Sequence, residues 1–310
     1  VTGKTEQFRR EKRPLDGVLL FDKPLELSSN TAMQKVRRLY RAEKAGHTGT
    51  LDPLATGLLP VCFGEATKFT HSLLDADKGY RATVRLGQRT TTGDAEGEVV
   101  ETRPVAVDEV QVRAVMQRFT GDIEQVPPMH SALKHQGKPL YEYIRKGETV
   151  AREARPVTIH ELTLENLQGE VLEFSVLCSK GTYVRTLAED IGEALGCGGH
   201  LTALRRTRIG PFGLEGAYTL QQVEAMEPGA RDALLLPLDT LVSGLPRLEV
   251  DAIQAERLAK GQRLAWHEGV PDGKCRLYAE GSFIGLGELE RGRLSPSRLL
   301  STVARAAAQA

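Results

Sequence analysis

Three hydrophobic patterns alternate along the chain, and each predicts a different element. Unbroken apolar runs at Gly17–Phe21 and Leu58–Gly64 read as short buried strands. From Tyr80 to Leu86 the period is two: Tyr80, Ala82, Val84 and Leu86 alternate with Arg81, Thr83 and Arg85, so this strand buries one face and leaves the other basic or polar. Helical spacing appears at Met33, Val36, Leu39 and Tyr40, behind the candidate caps Ser28, Ser29 and Asn30. It appears again at Val112, Val115, Met116 and Phe119, between a capping Asp108 and a terminating Gly121. Further helices are expected over 66–74, from Gly181–Leu187 to about Leu195 and near Thr219–Met226, and strands near 156–165 and 170–178. A linker over Pro228–Pro246 then leads to short strands at Arg263–Trp266, Cys275–Ala279 and Ser282–Leu289, separated by glycines in the manner of a small barrel-like β module.

Two stretches fit neither period. In Gly46–Gly57 (GHTGTLDPLATG) the glycines permit backbone angles closed to other residues, and Pro53 pushes Asp52 towards an extended conformation. Such a loop can hold one carboxylate at a fixed angle towards a ligand; taken alone, it reads equally as an Asp-Pro turn beside a surface histidine, His47. Residues 125–155, with Pro127, Pro128, His130, His135, Tyr141, Tyr143 and scattered lysines and arginines, have the character of a functional protrusion from a regular domain.

Composition narrows the function classes. The 310 residues carry 41 Lys and Arg against 41 Asp and Glu, so any polyanion site must be a local patch. One such cluster, Lys35, Arg37, Arg38 and Arg41, covers the first helix as either a solvated face or a phosphate-facing one. The four cysteines lie far apart with no C-x-x-C pair, and His130 and His135 have no partner at ligand spacing, which argues against a metal site and for reduced thiols. No apolar run approaches about 18 residues and no apolar region follows the charged N-terminus, so neither a membrane span nor a signal peptide is expected, and the location expected is the cytoplasm.

Four segments occur in one order: Asp22-Lys23-Pro24 with Ser28-Ser29, the Gly46–Gly57 loop, Lys78-Gly79-Tyr80-Arg81, and Gly181-Thr182-Tyr183-Val184-Arg185 followed by Leu204-Arg205-Arg206-Thr207. Together they closely resemble the bacterial tRNA pseudouridine-55 synthase family, from about Gly17 to the C-terminal module, which looks like that family's PUA domain. One departure is Leu25-Glu26-Leu27, where the family usually carries a glycine in the turn after Lys-Pro. The resemblance implies an α+β fold, a mixed and mainly antiparallel sheet flanked by helices, with a small β-barrel-like PUA domain. It divides the chain into a basic arm (1–14), a catalytic domain (15–245) with an RNA-clamping insertion (125–155), a PUA-like domain (246–304) and a tail (305–310).

The implied reaction detaches a T-loop uridine of tRNA from its glycosidic nitrogen, turns it and rejoins it through carbon 5, with no cofactor and no metal. By the family motif Asp52 is the catalytic aspartate, Tyr80 stacks on the target base, Arg185 pairs with the aspartate, and His47 enters the RNA loop. Lys23, Tyr183, Leu204, Arg205 and Arg206 join the substrate-binding set, while Asp94 either touches the substrate or shapes its turn. A carboxylate can attack the base or stabilise a sugar intermediate, and a neighbouring guanidinium favours its charged form. The Tyr80 hydroxyl is also a candidate for proton removal at carbon 5, although an ordinary phenol with a pKa of about 10 is a poor base at neutral pH. The expected partner is the tRNA T stem-loop, read by splayed bases and backbone contacts, with a monomer as the family default and no membrane. The competing readings are a nucleosidase, a guide-dependent synthase subunit of the box H/ACA type, and a non-catalytic RNA-binding protein.

Overall fold

The computed structural model describes residues 11–303 except Ala132, Arg145 and Glu268, so most of the expected basic arm and the tail lie outside the described residues. In chain order the first half comprises β1 (Gly17–Lys23), α1 (Ser29–Tyr40), β2 (Ala45–His47), β3 (Ala55–Phe63), α2 (His71–Leu74), β4 (Lys78–Leu86), β5 (Gln88–Thr90), β6 (Val99–Thr102), α3 (Glu109–Arg118) and β7 (Gly121–Gln125). The insertion carries β8 (Lys134–His135), β9 (Lys138–Pro139) and α4 (Leu140–Ile144). Then follow β10 (Arg155–Gln168), β11 (Val171–Cys178), α5 (Val184–Ala194), β12 (Gly199–Ile209), β13 (Phe212–Gly213), β14 (Tyr218–Thr219) and α6 (Leu220–Ala225). Last come β15 (Arg247–Val250), α7 (Ala252–Ala259), β16 (Leu264–Ala265), β17 (Gly273–Ala279), β18 (Ser282–Glu290) and β19 (Arg293–Leu299).

Ten strands form one sheet in the order β14-β1-β3-β12-β4-β11-β10-β7, with β2 added to β3 and β13 to β12. Its pairs are antiparallel except β1 with β14 and β3 with β12. The continuous apolar run of β1 has a direct cause: both its faces are covered. Leu19 and Phe21 join the core beneath α1, α3 and α5, while Val18 and Leu20 join a second core with Phe69, Leu73, Leu241 and Val242. Asp108 closes the start of α3 with a capping box to Gln111, and Ser28 caps α1, as the pattern expects.

The C-terminal strands form a separate five-stranded sheet, β15-β17-β18-β19-β16, around Leu248, Leu277 and Trp266. This module is seated on the second core. Leu286 contributes to that core, the Phe283 ring meets Phe69 edge-on at 5.4 Å, and the Glu65 carboxylate accepts from Ser301 N at 2.6 Å. The segment read as a linker is folded between the two sheets as a pair of 3-10 turns, Ala230–Leu234 and Leu238–Val242, because Leu241 and Val242 are buried there.

Other departures have local causes. The helix expected over 66–74 is a 3-10 helix, Gly64–Phe69, followed by the single turn α2, with the Thr67 and Thr70 hydroxyls donating to the carbonyls of Gly64 and Thr67. Helix α7 escapes the periodicity because it buries only Leu258. Arg13, assigned to the arm, is tied down: its guanidinium pairs with Asp232 and its Nε donates to Tyr40 O at 3.1 Å. Glu26, where the family glycine is missing, adopts a left-handed φ of 67°, a conformation that costs any residue with a Cβ.

Gly57 is where backbone freedom is essential. It has φ 103°, and a methyl there would collide with the Arg206 backbone oxygen and sit 2.8 Å from its nitrogen across the β3–β12 pair. We expect Gly57→Ala to lower the unfolding free energy by about 2–4 kcal/mol in a urea titration, through both strain and steric displacement.

Candidate active site

The loop bearing Asp52 is pinned from three sides. Ser29 Oγ accepts from Leu51 N at 2.7 Å and donates to Leu51 O at 2.9 Å, which ties the loop to the first turn of α1. Glu26 N donates to Pro53 O at 2.9 Å. Beneath, the fully buried Arg206 donates from Nε to Leu58 O at 2.7 Å and from Nη2 to Gly49 O at 3.2 Å, clasping both flanks of the loop. Asp52 is thereby fixed in its main chain while its side chain stays 47% exposed.

The carboxylate meets a buried cation. Arg185 occupies the first turn of α5, where the positive end of the helix dipole disfavours a guanidinium and where the helix has no acid of its own. Asp52 and Asp94 supply the missing negative charge: Arg185 Nη2 pairs with Asp52 Oδ2, and Nε lies 3.1 Å from Asp94 Oδ2. Nη1 donates to Thr92 O at 3.4 Å and His130 O at 3.3 Å, so one 6%-exposed side chain links the loop, the 90–97 turn and the insertion.

The Asp52 carboxylate faces a cleft of about 270 Å³. Tyr80, Leu204, Tyr183 and Val184 supply apolar wall, and Lys78, Ser131 and Thr182 polar groups; among the lining residues Asp52 is the only carboxylate. Burial raises the Tyr80 phenol above its ordinary pKa, an effect partly offset by the adjacent Arg206 guanidinium. A phenol shifted that way holds less phenolate at neutral pH, while its ring forms part of the apolar wall.

The remaining residues singled out from the sequence divide by burial. Tyr183 and Leu204 line the cleft. Lys23 is fully buried, with Nζ donating to Pro24 O at 2.8 Å and Leu27 O at 2.6 Å, and Arg206, which borders the cleft from beneath, is 1% exposed; both hold backbone near Asp52. Arg205 pairs with Asp22 at 2.6 Å outside the cleft lining. Asp94 is 3% exposed and accepts from Thr92 Oγ1 at 2.5 Å and Glu96 N at 3.1 Å, so of its two readings the structure favours shaping the turn and holding Arg185. His47 is half-buried on β2 opposite Val61, does not line the cleft, and has its pKa lowered by burial and by Arg206.

Sequence reasoning missed Ser29 as an anchor, because its position also suits a helix cap, and Ser131, which nothing in the pattern distinguishes. It placed His130 in the protrusion expected to clamp the RNA and weighed it singly only as a metal ligand. In the fold His130 borders the cleft, and burial followed by the Arg185 charge lowers its pKa.

Comparison with known proteins adds an independent line. Three family models match in succession: the TruB family pseudouridylate synthase N-terminal domain over residues 37–184, the tRNA pseudouridylate synthase B C-terminal domain over 185–243, and the pseudouridine synthase II TruB C-terminal domain over 246–300. A protein named tRNA pseudouridine synthase B from Aromatoleum aromaticum is 59% identical over 303 residues, 97% of this chain and 98% of the relative. The protein of that name from Methylobacillus flagellatus is 56% identical over 297 residues, covering 95% and 98%. Among solved structures, a chain of a Cbf5-Nop10-Gar1 complex superposes with a TM-score of 0.71 at 27% identity, covering 91% of this chain and 84% of that one. A chain of an H/ACA RNP bound to a substrate RNA containing 2′-deoxyuridine gives 0.68 at 26% identity, covering 91% and 84%.

Two outcomes test the electrostatic account. Arg185→Met leaves Asp94 buried without its cation and should cost about 3–5 kcal/mol of stability. Adding Asp94→Asn should recover part of that loss in urea unfolding, since the amide needs no counter-charge. Burial lowers Lys23 from its ordinary 10.5 to about 8. Between these values the unfolded chain holds the proton that the folded chain has released, so stability rises with pH across that window. The unfolding free energy of the wild type relative to Lys23→Met should be flat below about pH 8 and climb towards 10.5; a flat difference throughout would refute the assignment.

Proposed function

The chain belongs to the TruB family of pseudouridylate synthases, and from that premise we propose that it isomerises the T-loop uridine of tRNA, position 55, to pseudouridine, with Asp52 as the catalytic carboxylate. Pseudouridine synthases are isomerases: the N1–C1′ bond breaks, a C5–C1′ bond forms, C5 gives up a proton and N1 gains one, so the product has the atoms of the substrate. The observation that carries the reading is the half-exposed Asp52 carboxylate, held by buried Arg185 at a cleft with the Tyr80 ring in its wall.

A uridine in a paired or stacked RNA cannot reach such a cleft, so the nucleotide enters flipped out, with its lost stacking replaced by the Tyr80 ring and the apolar side chains of Leu204 and Val184. Arg185 fixes the direction of the Asp52 carboxylate, whether the oxygen adds to the base or supports positive charge at C1′.

Two observations favour a stand-alone enzyme over a guide-dependent subunit. The insertion brings His130 and Ser131 into the cleft wall, so the chain builds its own rim for the RNA. The relatives named tRNA pseudouridine synthase B match along nearly the whole chain. Position 55 and the T stem-loop rest on the motif resemblance.

The test is to incubate the purified protein with one unmodified tRNA, without guide RNA or other proteins, and map pseudouridine along it. Modification at the T-loop uridine is expected; modification elsewhere, free uracil or no reaction would overturn the assignment. Asp52→Asn should bind that tRNA with wild-type affinity and turn over slower by roughly 10⁴-fold or more, the scale set by removing an essential reacting group.

A further inference from the structure

The catalytic reading leaves one sequence feature unused, the basic cluster of α1. In the fold, Arg37, Arg38 and Arg41 come together with Lys12 and Arg231 around a concavity of about 840 Å³ that has no acidic residue in its lining. Two of the cations are built into the wall. Arg231, 9% exposed, donates to Val223 O, Leu39 O and Glu224 O, and Arg37 donates to Ala42 O and Glu43 O. Asp232 nearby is occupied by Arg13. The side chains of Lys12, Arg38 and Arg41 make no hydrogen bond or ion pair among the described residues.

Attraction between cations and the carbonyl end of α1 accounts for Arg37 and Arg38 in its last turn, the C-capping Arg41, and Arg231, which donates to Leu39 O. It does not account for Lys12, nor for a wall without an acid on a chain whose charges cancel at 41 against 41. A concavity with five cations and no carboxylate is complementary to a run of phosphates.

Its place relates it to the cleft. Helix α1 starts where Ser29 grips the Asp52 loop, and its 12 residues run about 18 Å to the basic end. The 125–155 insertion leaves the sheet from β7 and returns at β10, at one edge, whereas Arg231 follows β14 and α6 at the opposite edge. With strands about 4.8 Å apart, the seven spacings put those edges about 34 Å apart. An RNA hairpin held between the cleft and the insertion therefore leaves the basic concavity to another part of the same molecule.

We propose that this concavity binds the sugar–phosphate backbone of the tRNA substrate outside the T stem-loop. The inference rests on tRNA being the substrate, and its test reads binding rather than turnover. The double variant R38Q/R41Q changes two exposed, unpartnered side chains and should unfold at the wild-type temperature. Its affinity for full-length tRNA should fall on the order of tenfold at about 0.1 M salt, and the log–log salt slope should shrink by about 1.5–2, two phosphate contacts' worth. Its affinity for, and turnover of, an isolated T stem-loop hairpin should equal the wild type. K35Q, which removes a charge from α1 outside the concavity, should leave tRNA affinity unchanged.

Unchanged tRNA affinity and slope in R38Q/R41Q would overturn the proposal, as would an equal loss on the hairpin or an equal effect of K35Q. If the wild type binds tRNA but leaves the T-loop uridine unmodified, the proposed reaction fails while the binding comparison still decides the role of the concavity.

Discussion

The buried guanidinium of Arg185 is the constraint around which the site is arranged. A cation in the first turn of a helix is electrostatically misplaced and, at 6% exposure, poorly solvated. It is tolerated because two carboxylates and two carbonyls from separate parts of the chain converge on it. The same convergence sets the direction of Asp52. Satisfying Arg185 and aiming the Asp52 carboxylate are one geometric solution, and Asp94 belongs to it through its charge.

Among the described residues three further cations are buried, and they are treated differently. Lys23, Arg206 and Arg231 are satisfied mainly by backbone carbonyls. Each therefore braces main chain: Lys23 the turn that leans on Pro53, Arg206 the flanks of the Asp52 loop, and Arg231 the end of α1. Desolvating them without a counter-ion has a cost, visible in the lowered pKa of Lys23 and Arg206. That cost is offset by two or three hydrogen bonds per cation.

The sheet makes this bracing effective. The parallel pair β3–β12 carries Gly57 against Arg206, and β4 presents Tyr80 beside the same arginine, so the Asp52 loop, its clamp and the aromatic wall sit on neighbouring strands of one sheet. The second core, with Leu286 of the C-terminal sheet in it, covers the back of β1 and β3 and keeps that surface from flexing.

Much of the fold was legible in the sequence because it depends on local pattern. Period two in β4, helical spacing behind Ser28 and Asp108, and the apolar runs of β1 and β3 each report burial directly. The order of the four motifs likewise pointed to the family, and through it to Asp52, Tyr80 and Arg185. What the sequence left undecided was which polar side chains meet water. Lys23, Arg206 and Arg41 look alike in a one-dimensional pattern, yet two are sealed under the active site and one is open to solvent. Burial of a long polar side chain depends on distant carbonyls and carboxylates brought together only by chain crossings such as β3 beside β12. Periodicity records the neighbours of a residue along its own element and is blind to those across the fold, so the sequence determined the elements and their chemistry while the tertiary structure alone decided which charges are buried and which face solvent.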